Sequence, residues 1–108
     1  MLGEFEYILI TAAVRLSGGA YGEAIRQEID AVIGRRCTPG ALYTTIERLA
    51  KKGLLTTWMG QATAARGGRA KRMVRVTAQG EREAADFYAA ITRVSRGLPW
   101  TKAVKART

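Results

Sequence analysis

The amino-acid sequence predicts a mainly α-helical fold with one small β-hairpin, an α+β class, in a chain of 108 residues. Four segments carry apolar side chains at intervals of three and four residues, which is the spacing of amphipathic helices. Two shorter segments, residues 54–59 and 72–77, are predicted to be strands, and residues 73–77 partly alternate apolar with polar side chains, as a half-exposed strand does. The chain length fits one domain.

The first predicted helix, residues 4–16, is apolar on two sides. One side consists of Phe5, Ile8, Leu9, Ala12 and Leu16, and the opposite side of Tyr7, Ile10 and Val14. A helix that is apolar nearly all round must be covered on both sides. In so small a chain we expect the second cover to come from a partner subunit, with Phe5 and Leu9 contributing to a homodimer interface.

The second and third predicted helices are separated by a short connection. Helix two covers residues 20–33 and ends at Gly34. Its inward-facing side chains are Tyr21, Ile25, Ile29 and Val32. Helix three begins after Thr38, a good N-cap residue, with Pro39 in its first position, and it ends before Gly53. Its inward stripe is Leu42, Ile46 and Leu49.

The fourth predicted helix begins after Thr77, which can cap its first turn, and continues to about residue 96. Its apolar side chains form a seam at helical spacing: Ala84, Phe87, Tyr88, Ile91 and Val94. We expect this seam to provide most of the homodimer interface. The chain therefore divides into a first domain at residues 1–77, a C-terminal dimerisation helix at 78–96 and a basic flexible tail at 97–108.

The order of the predicted elements is that of a winged helix-turn-helix, which would be the DNA-binding domain at residues 1–77. In that architecture the second helix of the helix-turn-helix, here helix three, enters the major groove. The inward stripe turns Gly40, Thr44, Glu47, Arg48 and Lys51 outward, with Tyr43 at the flank. Threonine and arginine can contact base edges there. We expect DNA contacts from this helix at Thr38, Gly40, Tyr43, Thr44, Arg48 and Lys51.

The segment between the two strands is long, glycine-rich and basic, as expected of a wing. Its cations are Arg66, Arg69, Lys71 and Arg72. The chain has 18 basic and 9 acidic residues, a formal charge of +9, and from Arg48 to Gly80 there are eight basic residues and no acid. A localised positive field attracts polyanions, nucleic acid first. We therefore expect the wing to contact the DNA backbone or minor groove.

Several classes of function lack the residues that they need. The chain has no histidine, one cysteine, no glycine-rich phosphate loop and no clustered carboxylates, so we expect no enzymatic activity, no metal site and no cofactor. The longest apolar run, residues 7–14, is too short to span a membrane, and the acidic start is unlike a secretory signal. We expect a cytoplasmic protein without membrane association, and an inert Cys37 rather than a redox switch.

Five motifs are distributed along the chain: GEFE at 3–6, AYGEAI at 20–25, TPGALYTTIERLAKKGLL at 38–55, RGGRAKR at 66–72 and VTAQG at 76–80. Together they resemble the PadR-type transcriptional regulators, over residues 2–96. The resemblance implies a dimeric winged helix-turn-helix protein, usually a repressor, with DNA contacts at Tyr21, Tyr43, Thr44 and along the wing, Gly68 included. It also implies dimerisation through helix four with help from helix one. Some relatives bind small aromatic effectors between subunits, which makes Trp100 a candidate effector contact.

The function that we expect is sequence-specific binding of an inverted-repeat operator in double-stranded DNA by a homodimer. An RNA-binding winged module is the main alternative, and a protein-binding adaptor is the third. RNA-binding modules often expose aromatic platforms, whereas the outward face of helix three carries glycine, threonine and arginine and favours duplex DNA. We expect Glu47 to pair with Lys51 one turn on rather than to read cytosine, and Trp58 to be a strand packing residue.

Overall fold

The described part of the chain consists of four long helices and one two-stranded antiparallel hairpin. A computed structural model describes residues 1–60 and 70–102. Its elements in chain order are α1 (Glu4–Leu16), a 3-10 turn (Ser17–Gly19), α2 (Gly22–Ile33), α3 (Pro39–Lys51), β1 (Leu55–Met59), β2 (Arg72–Val76) and α4 (Ala78–Ser95). The predicted fold class and the predicted order of elements are confirmed.

Local cues set most of the helix ends. The Thr38 hydroxyl accepts a hydrogen bond from the Ala41 amide at 3.2 Å, and the Thr77 hydroxyl accepts one from the Gly80 amide at 3.0 Å. Both threonines are therefore the N-caps that the sequence predicts. Gly34, which follows α2, has φ 65°, the left-handed conformation in which glycine commonly ends a helix.

The start of α2 differs from the sequence prediction by two residues, because the preceding residues join the sheet. The Ala20 carbonyl accepts a hydrogen bond from the Val74 amide at 3.0 Å, and Tyr21 forms an antiparallel bridge with Met73. On its other edge β2 pairs with β1, with Leu55 opposite Val76 and Met59 opposite Arg72. Helix propensity at residues 20 and 21 is overridden by this pairing, which ties β2 to the start of α2.

The core lies where α1, α2 and α3 meet. Its largest fully buried side chains are Leu9, Ile10, Ile25, Ile29, Leu42, Ile46 and Leu49. The inward stripe predicted for α3 is confirmed in full. The expectation for Val32 is wrong, since that side chain is 56% exposed in the last turn of α2. There it borders a groove between α1 and α2 that the described residues leave open.

The second apolar side of α1 is covered largely by the same chain, and not only by a partner subunit as the sequence suggests. Ile10, expected on that second side, is fully buried. The Tyr7 ring stacks on the Phe87 ring of α4 with centroids 4.7 Å apart. Leu9 is also fully buried in the core of the protomer. The expected contact of Leu9 with a partner subunit is therefore a wrong prediction, because its surface is already used within the chain.

Helix α4 packs on the core only as far as Phe87, near its midpoint. Gly80 is its one buried residue, while Tyr88, Ile91 and Val94 are 63%, 45% and 73% exposed. The Cα radius of gyration is 15.6 Å, against about 13 Å for a compact chain of this length. After α4, residues 99–102 are again helical, so the tail expected to be flexible is ordered at its start. Residues 103–108 lie outside the described residues.

The packing of α4 generates the first prediction. A Cβ atom at Gly80 would overlap the Leu54 carbonyl oxygen and lie 2.9 Å from Val76 Cγ1. A backbone carbonyl cannot move out of the way as easily as the end of a flexible side chain can. Gly80→Ala should therefore lower the free energy of unfolding by roughly 2–3 kcal/mol. Gly18→Ala is the control, since a Cβ there meets nothing within 4 Å. Urea unfolding of both variants checks the prediction, and equal stabilities would contradict it.

Candidate nucleic-acid interface

The exposed face of α3 is the centre of the candidate interface. All six residues of this helix and its cap that the sequence assigns to DNA contact are exposed: Thr38, Gly40, Tyr43, Thr44, Arg48 and Lys51. A shallow concave surface on this face is lined by Tyr43, Thr44, Glu47, Arg48 and Lys51. These polar side chains surround a depression in which the edge of a duplex can be contacted.

The rotation of α3 distributes these side chains over three positions. At 100° per residue, Gly40, Thr44 and Lys51 lie at the middle of the exposed face, opposite the buried stripe. Tyr43 and Glu47 lie one turn apart on the flank towards the hairpin. On the other flank, towards α1, lie Arg48 and Lys52. One flank therefore contacts the hairpin and carries an acid, whereas the other contacts α1 and carries two cations.

On the α1 flank a buried carboxylate holds the cations of α3. Glu6 is only 7% exposed, and its carboxylate accepts hydrogen bonds from the Gly3 amide at 2.8 Å and from Lys52 Nζ at 3.1 Å. Arg48 Nη1 lies 3.9 Å from the same carboxylate. Burial alone would raise the pKa of Glu6, but the Gly3 and Lys52 hydrogen bonds and the charges of Lys52 and Arg48 together lower it. Glu6 thus joins the start of α1 to the end of α3.

On the hairpin flank the acid of α3 holds a cation of the wing. Arg72 Nη1 donates to Glu47 Oε1 at 3.0 Å. The expected pairing of Glu47 with Lys51 is therefore wrong, because the start of β2 brings a guanidinium closer than the next turn of the helix does. Beside this pair the Lys71 ammonium lies 4.3 Å from the centroid of the Tyr21 ring. Lys71, Arg72 and Tyr21, all expected at the interface, are thus brought to one side of α3.

A close contact between two helices fixes the position of Tyr43. The Tyr43 ring packs directly over Gly22 at the start of α2, and a Cβ atom at Gly22 would overlap the tyrosine hydroxyl. The hydroxyl end of Tyr43 therefore lies against α2, although the residue as a whole is 39% exposed. Gly22 was not among the sequence-predicted site residues, although a glycine directly after Tyr21 in the AYGEAI motif was visible.

Three further residues of the interface are not predicted as site residues: Glu6, Glu47 and Lys52. Glu6 follows Gly3 at the spacing of a capping box, so its hydrogen bond to the Gly3 amide could have been predicted. Its contact with Lys52, 46 positions away, has no local signal. Of the wing residues expected to bind DNA, Arg66, Gly68 and Arg69 lie outside the described residues.

The remaining candidate residues divide between partly buried and exposed positions. Phe5, Ala84 and Phe87 are partly buried against the core. The exposed seam residues are Tyr88, Ile91 and Val94, and Trp100 is exposed in the helical residues 99–102. Trp58 was expected to be a packing residue, but it is 44% exposed, with the Arg75 guanidinium 5.5 Å from its ring centroid.

Cys37 is buried beside the start of α3. Burial raises the pKa of its thiol, although the charges of Arg26 and Arg35 partly oppose this. A thiol with a raised pKa forms little thiolate, which agrees with an inert cysteine. Among the described residues there is no group of three His, Cys, Asp or Glu that could hold a metal ion. The helices described at residues 1–60 and 70–102 include none that is long and apolar enough to span a membrane.

A protein-family model matches more than half of the chain. The model of the transcriptional regulator PadR-like family matches residues 12–86. This segment includes α2, α3, both strands and the first half of α4. A search of the curated proteins found no significant match.

Solved structures of similar fold include several regulators. A PadR-like transcription factor from Bacteroides fragilis is 20% identical with a TM-score of 0.68, over 96% of this chain and 89% of that one. A PadR family transcriptional regulator from Eggerthella lenta is 22% identical with a TM-score of 0.68, over 88% and 82% of the two chains. The PadR protein of Bacillus subtilis, solved in complex with operator DNA, is 18% identical with a TM-score of 0.63, over 79% of this chain and 46% of that one.

The Glu6 cluster generates the second prediction. Glu6→Gln should lower the free energy of unfolding at neutral pH by roughly 1–2 kcal/mol, because it removes a charged hydrogen-bond partner of Lys52. The pKa of Glu6 is lowered from an ordinary value of 4.5. Its stabilisation is therefore fully present above that value and is lost as the pH falls through the lowered one.

The difference between wild type and Glu6→Gln should accordingly shrink on acidification. Chemical unfolding at a series of pH values between 7 and about 3 measures it. Glu28→Gln is the control, since it breaks an exposed ion pair with Arg15 of 3.0 Å, and exposed pairs contribute little. A difference that stays constant with pH would show that the Glu6 charge is not what stabilises the fold.

Proposed function

Because the chain belongs to the PadR-like family of transcriptional regulators, which are not enzymes, we propose that it binds a double-stranded DNA operator and represses transcription in the cytoplasm. The observation that carries this proposal is the exposed face of α3, with Thr44 and Lys51 at its middle. Arg48 and Lys52 lie on its α1 flank, and Lys71 and Arg72 of the hairpin lie beside the other flank. In a winged helix-turn-helix this helix lies in the major groove.

Contacts to DNA would divide between the helix and the hairpin. Gly40 allows close approach of backbone, and Thr44 and Lys51 at the middle of the face reach base edges. Arg48 lies beside Glu6 on the α1 flank and suits a base at the groove edge or a phosphate. Lys71 and Tyr21 at the base of the wing suit the backbone, which positions the protein without specifying sequence. The Bacillus subtilis relative was solved with operator DNA, which supports the binding of DNA here.

The active species in this proposal is a homodimer formed through α4. Its exposed apolar side chains, Tyr88, Ile91 and Val94, lie at intervals of three residues on one side of a helix that leaves the body of the protomer. Burial of this seam against a second copy would remove it from water. A two-fold symmetric dimer presents two α3 helices and therefore favours an inverted-repeat operator, with half-sites about one helical turn apart.

A small aromatic effector remains part of the proposal. Trp100 is exposed, and its neighbour Thr101 lines a concave surface together with Ile91 and Gly97. An indole at the end of the dimer seam could stack on an aromatic ring that binds there. The effector contact of Trp100 stays a prediction.

The dimer proposal yields the third prediction. Ile91→Glu should produce monomers at micromolar concentration, because it places a charge in the middle of the apolar seam. Ala89→Glu adds the same charge on the other side of α4, 200° away at helical spacing, and should leave the dimer intact. Light scattering after size-exclusion chromatography measures the mass. A well-folded monomer of the unmutated chain under these conditions would refute the proposal.

The DNA proposal yields the fourth prediction. With roughly six to ten phosphates contacted by a dimer, affinity for a duplex selected from a random library should fall by about three to five decades between 50 and 200 mM salt. Lys71→Gln should reduce the slope of log affinity against log salt concentration by about one phosphate contact in each half-site. Arg93→Gln is the control. It also removes one positive charge, but from the side of α4 opposite the apolar seam and away from the proposed DNA contacts, so it should not change this slope.

Fluorescence anisotropy with the selected duplex, a scrambled duplex and a single-stranded RNA distinguishes the alternatives. The proposal expects the selected duplex to bind most tightly. Tighter binding of single-stranded RNA than of every duplex would replace it with the RNA-binding alternative. An affinity that salt hardly changes would show that the basic surface does not contact phosphates.

A further inference from the structure

Glu47 is an acid on a surface where acids are otherwise missing. It is the only acidic residue between Asp30 and Glu81 in the sequence. It lines the concave surface on the exposed face of α3, which carries the DNA contacts of the proposed function. A negative charge at that place repels phosphates and weakens binding to any duplex. Its presence there therefore requires a compensating role.

Stability of the free protein does not supply that role. The side chains of Arg72 and Glu47 are 34% and 56% exposed, and exposed ion pairs contribute little to folding. What the contact does achieve is orientation. One edge of the guanidinium is fixed by the 3.0 Å hydrogen bond from Nη1 to Glu47, and within residues 1–60 and 70–102 its other N–H donors have no partner.

Arg72 is also held at its backbone end. It is the first residue of β2 and pairs with Met59 of β1. Immediately before it, the Lys71 carbonyl accepts a hydrogen bond from the Gly60 amide at 2.7 Å, which extends the pairing of the two strands by one position at the loop end of the hairpin. A side chain fixed at both ends loses little conformational freedom on binding. A planar fork held in this way is suited to bidentate contact with guanine O6 and N7.

We propose that Glu47 is a positioning residue that holds Arg72 for contact with one guanine at the edge of the groove occupied by α3. This inference rests on the proposed binding of duplex DNA. It assigns sequence reading to a wing-base arginine and makes Glu47 a determinant of specificity that never touches the DNA. The selected operator should then contain a guanine at a fixed offset in each half-site.

The test compares the specificity ratio, the affinity for the selected duplex divided by that for a scrambled duplex. Glu47→Gln should lower this ratio by about tenfold, because discrimination by a bidentate pair is lost. Loss of the negative charge alone would instead tighten binding to both duplexes equally. In an Arg72→Ala background Glu47→Gln should leave the ratio unchanged. Glu28→Gln, which breaks an ion pair of equal length with Arg15 far from the interface, is the control.

A second measurement distinguishes loss of the guanine contact from a general structural effect of the substitution. Replacing the selected guanine by 7-deazaguanine removes the N7 acceptor and should weaken wild type and leave Glu47→Gln nearly unaffected. Thermal unfolding should show the same midpoint for both proteins. An unchanged ratio for Glu47→Gln would overturn this inference and leave the proposed function intact. Failure to select any duplex over scrambled DNA would overturn the proposed function and this inference with it.

Discussion

The burial of one stripe of α3 constrains everything else in this structure. Leu42, Ile46 and Leu49 are fully buried against α1 and α2, and this fixes the rotation of the helix about its axis. A rotation by one residue, 100°, would expose a leucine and bury a polar side chain, at a cost of several kcal/mol. The side chains that face solvent are therefore determined by the core, although none of them takes part in it.

Once the rotation is fixed, two acids define what the flanks of α3 can do. Glu6 lies on one flank, buried, and binds Lys52 with Arg48 close by. Glu47 lies on the other and binds Arg72. Between them Thr44 and Lys51 are left to face solvent. In a chain with a net charge of +9, these acids orient cations rather than neutralise the surface. Arg48 is consequently less free to reach the middle of the groove than its helical position alone suggests.

Features with a local cause were predictable from the sequence. Thr38 and Thr77 cap helices, Gly34 ends one, and the apolar spacing of α3 gives its buried face. The features that were missed depend on contacts between distant parts of the chain. Residues 20 and 21 join β2 because Ala20 meets Val74. Glu47 accepts a hydrogen bond from Arg72, which is 25 positions away in the sequence, rather than pairing with Lys51, which is four positions away. Spacing shows which residues can meet within a helix, but it does not show which hairpin residue will arrive beside them.

The two halves of α4 differ in what they contact, and this explains its limited packing on the protomer. Gly80 at its start lets the helix approach the Leu54 carbonyl, and Phe87 stacks on Tyr7, so the first half belongs to the protomer. The second half keeps its apolar side chains exposed, and a monomer gains nothing from that exposure.

In the dimer that we propose, the same rigid helix would carry the seam at one end and the anchored hairpin at the other. The distance between two α3 helices would then be set by α4, because the hydroxyl of Thr77, its N-cap, accepts a hydrogen bond from the Gly80 amide and donates one to the carbonyl of Gly53, two residues after α3. A change at the seam would reach the spacing of the two reading helices without passing through a flexible segment.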